Sequence, residues 1–198
     1  MYKYFIVYKP FQVLSQFTSE KDKACLKDFF EVPTDVYPVG RLDFDSEGLL
    51  LLTNDKSLNN RLLHPRFAHE REYRVQVEGL ITNEALQKLS SGVTIHIDGK
   101  PFHTKPGKAT RLAEHIVIPE RNPPIRFRQN IPTSWIRLVI SEGKNRQVRR
   151  MTAAVGFPTL RLIRYRIAGL TLDAMLPGDM IDMVQNEVYG KLGLLAEL

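Results

Sequence analysis

Residues 40–55 carry the strongest structural signal in this sequence. The segment reads Gly-Arg-Leu-Asp-Phe-Asp-Ser-Glu-Gly-Leu-Leu-Leu-Leu-Thr-Asn-Asp. Its apolar run, Leu49 to Leu52, is bounded by turn-forming residues, and this pattern predicts a buried strand. Asp43 would then lie in a short polar loop that leads into a rigid core element, a support that fixes the position of a functional carboxylate. The alternative is a solvated turn whose acidic residues have no special role.

The acidic residues of this loop partly match a calcium-binding loop. The acids at positions 43, 45 and 47, together with Gly48, fit the first half of that pattern. The twelfth position, where calcium loops carry a bidentate glutamate, is Asn54. The flanking segments also favour strands rather than helices. The five histidines show no ligand spacing, so a metal site is not expected.

Composition describes an ordinary globular protein. The chain has 198 residues, enough for one substantial domain or two small lobes that share a sheet. No apolar run approaches the length of a membrane span, and the first ten residues alternate like a strand rather than resembling a signal peptide. The single cysteine, Cys25, leaves no internal disulfide to form. We therefore expect a cytoplasmic protein.

Positive charge is concentrated in one segment. Residues 1–120 contain 16 basic and 16 acidic side chains, whereas residues 121–166 contain 11 basic side chains and only Glu142 as an acid. Residues 167–198 are net acidic, so the whole chain has a formal net charge of +6. A neutral body with one strongly basic segment favours a polyanionic partner, above all nucleic acid. The alternative is a basic surface that serves only solubility.

Hydrophobic periodicity predicts more strands than helices, without regular alternation between them. Strands are predicted at residues 2–8, 49–52, 70–79, 93–97, 108–112, 135–140, 160–166 and 175–184, and helices at 23–30, 56–63, 82–92 and 145–155. In the second helix, Leu58, Leu62 and Leu63 are predicted to face the core. Residues 119–134 contain four prolines among arginines, which indicates an irregular basic insertion. The arrangement favours an α+β fold with a mixed or mostly antiparallel sheet and flanking helices.

The helix predicted at 145–155 has two distinct faces. Its apolar face is formed by Val148, Met151 and Val155, and its basic face by Arg146, Arg149 and Arg150. The strand that follows places Arg161 and Arg164 between apolar residues. One helix face should therefore pack against the core while the other is available to phosphate groups.

These parts suit chemistry on a nucleotide within RNA. An aspartate beside a cation stays ionised and can act as a nucleophile or a base. A tyrosine can stack on a base, and basic groups hold the phosphate backbone. The candidates for these roles are Asp43, Tyr73 on the strand at 70–79, and the basic turn at Lys144.

Four segments, in the family's order, resemble the RsuA/RluB/E/F branch of the pseudouridine synthases. The segment 40–53 is similar to the family signature, Lys9-Pro10 to its first motif, residues 72–75 to its tyrosine motif, and residues 142–151 to its last basic motif. The resemblance covers residues 3–185. Within the branch, residues 121–126, 131–135 and 156–165 look most like the enzymes of the E type.

The resemblance implies isomerisation of uridine to pseudouridine in large-subunit (23S) ribosomal RNA. It implies a pseudouridine synthase fold over residues 1–198, with two lobes, a central mixed sheet and a cleft between the lobes. No cofactor or metal is expected, and the expected state is a monomer. Many relatives have an RNA-binding S4-like module, and we expect none before the first strand here. Substrate selection would then fall on the catalytic domain and the basic segment 121–166.

The resemblance also implies roles for individual residues. Asp43 would be the catalytic carboxylate, which either attacks C1′ of the flipped uridine or removes a C2′ proton, and both routes stay open. Tyr73 would stack on the uracil and is a candidate to assist proton removal from C5, while Lys144 matches the basic position that pairs with the aspartate. Arg41 would keep the target nucleotide extruded, a step that costs on the order of a few kcal/mol. The candidates for phosphate contacts are Arg146, Arg149, Arg150, Arg161 and Arg164, some of which could instead form structural ion pairs.

Two other functions remain open at this level. One is a protein that binds RNA or assists ribosome assembly without chemistry, although Asp43, Tyr73 and Lys144 are all present. The other is the same reaction at a different ribosomal RNA site. The insertion at 121–135 favours the E-type target without identifying the nucleotide.

Overall fold

The computed structural model describes residues 1–125 and 131–194, and within them the predicted α+β class is confirmed. The strands are β1 (Tyr4–Lys9), β2 (Tyr37–Pro38), β3 (Glu47–Thr53), β4 (Arg71–Glu78), β5 (Thr94–Ile97), β6 (Lys100–His103), β7 (Lys108–Arg111), β8 (Thr133–Ile140), β9 (Thr159–Ile167), β10 (Leu170–Thr171) and β11 (Met180–Met183). The helices are α1 (Lys56–Leu63), α2 (Asn83–Ser91), α3 (Gln147–Ala154) and α4 (Gln185–Lys191). None of these helices is long and apolar enough to cross a bilayer. Part of the predicted basic insertion, residues 126–130, lies outside the described residues.

The chain divides into two compact units. The first consists of Met1–His69 and Arg164–Leu198, and the second of Glu70–Ile163. The second unit is thus one continuous stretch of sequence, whereas the first is assembled from both ends of the chain.

The first unit is built on β1, which pairs antiparallel with β3 on one side and with β11 on the other. All residues of β1 and β3 are buried. The continuous run Leu49–Leu52 therefore forms the buried strand that the sequence predicts. Apolar residues cover it on one face, including Phe5, Val7, Leu26 and Phe30.

The second unit is built on β4 and β8, which pair antiparallel from Arg71 opposite Ile140 to Glu78 opposite Thr133. β7 continues this sheet beyond β8, and β5 and β6 form a separate hairpin. Tyr73, Val75 and Val77 lie on one face of β4 and pack with residues of β8, α2 and α3. Helix α2 is capped by Thr82, whose hydroxyl accepts the backbone N–H of Ala85 at 3.2 Å.

Gly48 joins the Asp43 loop to the buried part of β3. Its φ of +115° lies in a region that L-amino acids rarely adopt. A Cβ atom there would lie 2.4 Å from the backbone oxygen of Arg164 and 2.6 Å from its backbone nitrogen. Only glycine lets the two backbones approach this closely.

The prediction of a helix at residues 23–30 is wrong. Only Leu26–Asp28 forms a single 3₁₀ turn. The backbone groups on either side are bonded to the preceding segment: Leu26 N–H donates to Gln16 O at 2.9 Å, and Ala24 O accepts Leu14 N–H at 2.8 Å. These long-range bonds replace the i to i+4 bonds that a helix would need.

Two further expectations are corrected, and one helix was not predicted. Leu63, predicted to face inward, is 47% exposed at the end of α1. The strand predicted at 175–184 is confined to Met180–Met183, because Asp179 N–H donates to Leu176 O and turns the chain first. The segment after residue 184 carries no clear sequence signal, yet it forms α4.

Asp55 is a buried carboxylate that joins distant parts of the first unit. It caps α1 by accepting the backbone N–H groups of Ser57 and Leu58 at 2.9 and 3.1 Å. Its other oxygen accepts the hydroxyl of Tyr4 at 2.8 Å and that of Tyr189 at 2.7 Å. Burial alone would raise the pKa of Asp55, but these four hydrogen bonds outweigh it and hold the pKa below its usual value. Burial and the bond to Asp55 raise the pKa of Tyr189 to about 12.

This carboxylate should make stability depend on acid pH. Because the folded-state pKa of Asp55 is lowered, its stabilisation is complete above the unfolded pKa, about 3.9, and is lost as pH falls through the folded value. Asp55→Asn should lower the free energy of unfolding at pH 7 by about 2 kcal/mol, since an amide cannot accept all four bonds. Melting curves recorded between pH 7 and pH 3 should show that the melting temperature falls less steeply with decreasing pH in the variant than in the wild type. An equal dependence of the melting temperature on pH in the two proteins would contradict the proposed contribution of Asp55 to stability.

Candidate active site

The turn that carries Asp43 is anchored on both sides of that residue. Ser46 N–H donates to Asp43 O at 3.0 Å and closes the turn. The hydroxyl of Ser15 donates to Leu42 O at 2.8 Å and accepts Leu42 N–H at 3.0 Å. Leu42 and Ser46 are buried, while Asp43 is half-buried. The carboxylate thus projects from a fixed backbone rather than from a mobile surface loop.

A buried lysine lies close to this turn. Lys9, the last residue of β1, is fully buried. Its Nζ donates to the backbone oxygens of Pro10 at 2.9 Å and Val13 at 2.7 Å. These bonds place the ammonium group at the start of the loop that follows β1.

Burial lowers the pKa of Lys9 to about 7. Glu47 opposes this shift most strongly, Arg164 adds to it, and Asp45 and Asp43 favour the charged form more weakly. The structure therefore brings Lys9 and Asp43 into electrostatic range. The sequence marked Lys9-Pro10 only as a family motif and gave no reason to place that side chain beside the loop.

The arginines of the first unit differ in exposure. Arg41, next to the Asp43 turn, is exposed and available to a large ligand. Arg164 is buried, and its Nε donates to the backbone oxygen of Leu49 at 2.9 Å. This contact supports β3, so the geometry favours a structural role for Arg164 over a phosphate contact.

Tyr73 lies on β4 in the second unit, directly opposite Leu138 of β8. It is buried and belongs to the apolar core of that unit. On the opposite face of β4, Glu72 accepts a hydrogen bond from Arg137 Nη2 at 2.8 Å, and this bond raises the pKa of Arg137. The ring of Tyr73 is therefore held in place by the strand register.

Lys144 lies in the loop between β8 and α3, also in the second unit. Its side chain is exposed, and its Nζ lies 5.3 Å from the centre of the Phe102 ring. This distance is within the range of a cation–π contact. The aromatic ring comes from β6, so the hairpin supports one side of the basic turn.

The arginines around α3 are not equivalent. Arg146 is exposed and precedes the helix with a left-handed φ of +50°. The guanidinium of Arg150 donates to the backbone oxygen of His96 and, at 3.1 Å, to Asn145 Oδ1. Arg149 is half-buried. The exposed side chain of Arg146 is within reach of a phosphate, and the guanidinium of Arg150 has the two protein partners just named.

Arg161 is buried on β9. Its Nη1 donates to the backbone oxygen of Pro119 at 2.7 Å, and its guanidinium lies 5.9 Å from the centre of the Trp135 ring. As with Arg164, burial favours the structural alternative that the sequence left open. The alternation of arginine with apolar residues gave no sign of this burial.

Acidic and histidine side chains do not gather into a metal site anywhere in residues 1–125 and 131–194. These ranges hold no group of three or more His, Cys, Asp or Glu side chains placed to bind a cation.

Comparisons with known proteins agree with one another. A family model described as RNA pseudouridylate synthase matches residues 3–154. Ribosomal large subunit pseudouridine synthase E from Vibrio parahaemolyticus is 48% identical over 89% of this chain and 71% of its own length. Ribosomal large subunit pseudouridine synthase B from Bacillus subtilis is 38% identical over 93% of this chain and 69% of its own. A crystal structure of a pseudouridylate synthase has a TM-score of 0.77 at 28% identity, covering 97% of this chain and 74% of that one.

Proposed function

The chain belongs to the RNA pseudouridylate synthase family, and from that premise we propose that it isomerises a specific uridine of 23S ribosomal RNA to pseudouridine. It is an enzyme, an isomerase whose substrate is RNA. One observation carries the choice of substrate: the chain is 48% identical, over 89% of its length, to a relative named for the large ribosomal subunit. Action in the cytoplasm is part of the proposal.

In this proposal Asp43 is the catalytic carboxylate. Its half-buried position on an anchored turn supports the role, because a reacting group gains from a fixed geometry. It either attacks C1′ of the target nucleotide or removes the C2′ proton. In the first route the C1′–N1 bond breaks as the bond from the carboxylate to C1′ forms, and that bond breaks in turn when C5 of the rotated uracil bonds to C1′. In the second route the C1′–N1 bond breaks as the C2′ proton leaves, and Asp43 returns this proton to C2′ when C5 bonds to C1′. The C5 proton is then lost, which restores the uracil ring.

Tyr73 and Lys144 complete the proposed chemistry. Tyr73 stacks on the uracil, and its hydroxyl is the candidate to take part in removal of the C5 proton. Lys144 is proposed as the basic residue that pairs with the carboxylate. The exposed position of the Lys144 side chain is compatible with contact to a charged group.

RNA binding is proposed to depend mainly on exposed cations. Arg41 and Arg146 are exposed, and they are the leading candidates for contact with the RNA. Arg149 and Arg150 remain candidates on α3. Arg161 and Arg164 are proposed to act through the fold, since their guanidinium groups bond to backbone oxygens.

The function can be tested with purified protein and ribosomal RNA. The protein is incubated with 23S and 16S transcripts, and pseudouridine is mapped by carbodiimide modification and primer extension. We expect conversion at one site of the 23S transcript and none in the 16S transcript. Mapping RNA from cells with and without the gene shows whether that site corresponds to the E-type or the B-type target. Binding without conversion of any transcript would favour the non-catalytic alternative.

Tyr73→Phe separates stacking from chemistry. The ring is kept, so its packing should be preserved. The affinity of the protein for RNA should change by less than about twofold. Turnover should fall by about 10²-fold or more, because a positioned proton-transfer group contributes 10²–10⁴ in rate. Single-turnover assays and filter-binding titrations measure the two effects. Val75→Ala, a change in the same strand face, is the control for lost packing. Full activity in Tyr73→Phe would rule out a chemical role for the hydroxyl.

A further inference from the structure

The loop between β8 and α3, residues 141–146, is held by the residue that follows it. Gln147 is the first residue of α3 and is only 3% exposed. Its Oε1 accepts the backbone N–H of Lys144 at 3.0 Å, and its own backbone N–H donates to Lys144 O at 3.1 Å. Both backbone polar groups of Lys144 are therefore bonded to a single residue.

The other end of the Gln147 amide is fixed as well. Its Nε2 donates to Glu142 Oε2 at 2.8 Å, and the same oxygen accepts the backbone N–H of Lys105 at 2.9 Å. Because Glu142 lies near the start of the loop, the two side chains bridge its beginning and its end. Removing one partner of a buried hydrogen bond leaves the other unsatisfied, so this bridge resists rearrangement.

The loop needs such support. Arg146, just before α3, has a left-handed φ of +50°, and no side chain caps the helix from that position. The side chain of Lys144, in contrast, is exposed and touches the face of the Phe102 ring. Because the backbone of Lys144 is fixed, the direction in which its exposed ammonium group projects is restricted.

We propose that Gln147 is a positioning residue for the reaction: it fixes the backbone of Lys144 and thereby the direction in which the Lys144 ammonium group projects. Gln147 does not itself contact the reacting atoms. The inference rests on the proposed role of Lys144 in pseudouridine formation, and it adds a residue to which no role has been assigned above.

The test exchanges the two side chains of the bridge. Gln147→Glu places two carboxylates against each other, so the bridge should open. Turnover should fall by about ten- to a hundredfold, the scale of a misplaced group, with RNA affinity unchanged. Adding Glu142→Gln should restore turnover to within about threefold. In that double variant, the amide nitrogen at position 142 replaces the oxygen that accepted both bonds. It donates to the carboxylate at position 147, which accepts Lys144 N–H, so the bridge to Lys144 is restored while the bond from Lys105 N–H is lost.

A matched control separates positioning from general loss of stability. Thr152 is fully buried on the same helix, and its hydroxyl bonds to Thr159 Oγ1 at 2.7 Å and to Arg149 O at 3.2 Å. Thr152→Val should lower the melting temperature without changing turnover per folded molecule. Unchanged turnover in Gln147→Glu, equal losses in Thr152→Val, or no recovery in the double variant would each overturn the inference.

The outcomes also distinguish this inference from the function on which it rests. A wild-type protein that forms no pseudouridine refutes the function. An active wild type with an equally active Lys144→Met variant leaves the function intact and overturns the role of Lys144, and that of Gln147 with it. An inactive Lys144→Met variant together with a fully active Gln147→Glu variant overturns only the inference about Gln147.

Discussion

Replacing Asp43 with asparagine should abolish pseudouridine formation while leaving the protein folded. The amide keeps the size of the side chain, but it can neither attack C1′ nor accept the C2′ proton. The rate should fall by about 10⁴-fold or more, since both nucleophilic and general-base catalysis depend on the carboxylate. Pseudouridine mapped on 23S transcripts measures the loss. RNA affinity should persist, because phosphate contacts supply most of it.

Asp45→Asn is the matched control for this prediction. Asp45 is half-buried in the same turn and acts on the same buried Lys9. Its variant should retain most of the turnover. A folded and active Asp43→Asn protein would refute the mechanism. If Asp43→Asn instead loses its cooperative melting transition together with its activity, Asp43 is a structural residue of the turn.

Gly48→Ala should strongly destabilise the first unit. The new Cβ would lie 2.4 Å from Arg164 O, at a φ of +115°. Strain and overpacking together should cost on the order of 4 kcal/mol. Because small domains are stable by only about 5–15 kcal/mol, little folded protein should accumulate. Guanidinium denaturation of the purified variant, or its soluble yield, measures the effect.

The control for Gly48 is Gly178, which also has a positive φ, +98°, and lies in the same unit. No atom lies within 4 Å of a Cβ built there. Gly178→Ala should therefore show backbone strain alone, about 1–2 kcal/mol. Equal losses in the two variants would mean that the close approach of the Arg164 backbone is not what requires glycine at position 48.

Elements with a strong local pattern could be predicted from the sequence. The apolar run at 49–52 and the periodic patterns at 70–79 and 82–92 predict β3, β4 and α2. Each of these patterns depends on residues that are close together in the chain, so it can be recognised without knowing the rest of the fold.

Features set by distant parts of the chain could not be predicted. Residues 23–30 look helical alone, but their backbone bonds to residues 14–16. The sequence predicts that Arg161 and Arg164 contact phosphate. Both side chains are instead buried, and they donate hydrogen bonds to backbone oxygens far along the chain. For the candidate site, residue types and motif order predict Asp43, Tyr73 and Lys144, which stays a prediction. The proximity of Lys9 to Asp43 and the two bonds of Gln147 to Lys144 arise only from three-dimensional packing.

The division of the chain into two units bears on its synthesis by the ribosome. A protein made from its N-terminus begins to fold as soon as a complete unit has emerged. Glu70–Ile163 is continuous and can fold while later residues are still being translated. The first unit must wait for β11 to pair with β1 and for Tyr189 to reach Asp55. We therefore expect a released chain that ends before residue 180 to protect the second unit from proteolysis but not the segment that contains Asp43.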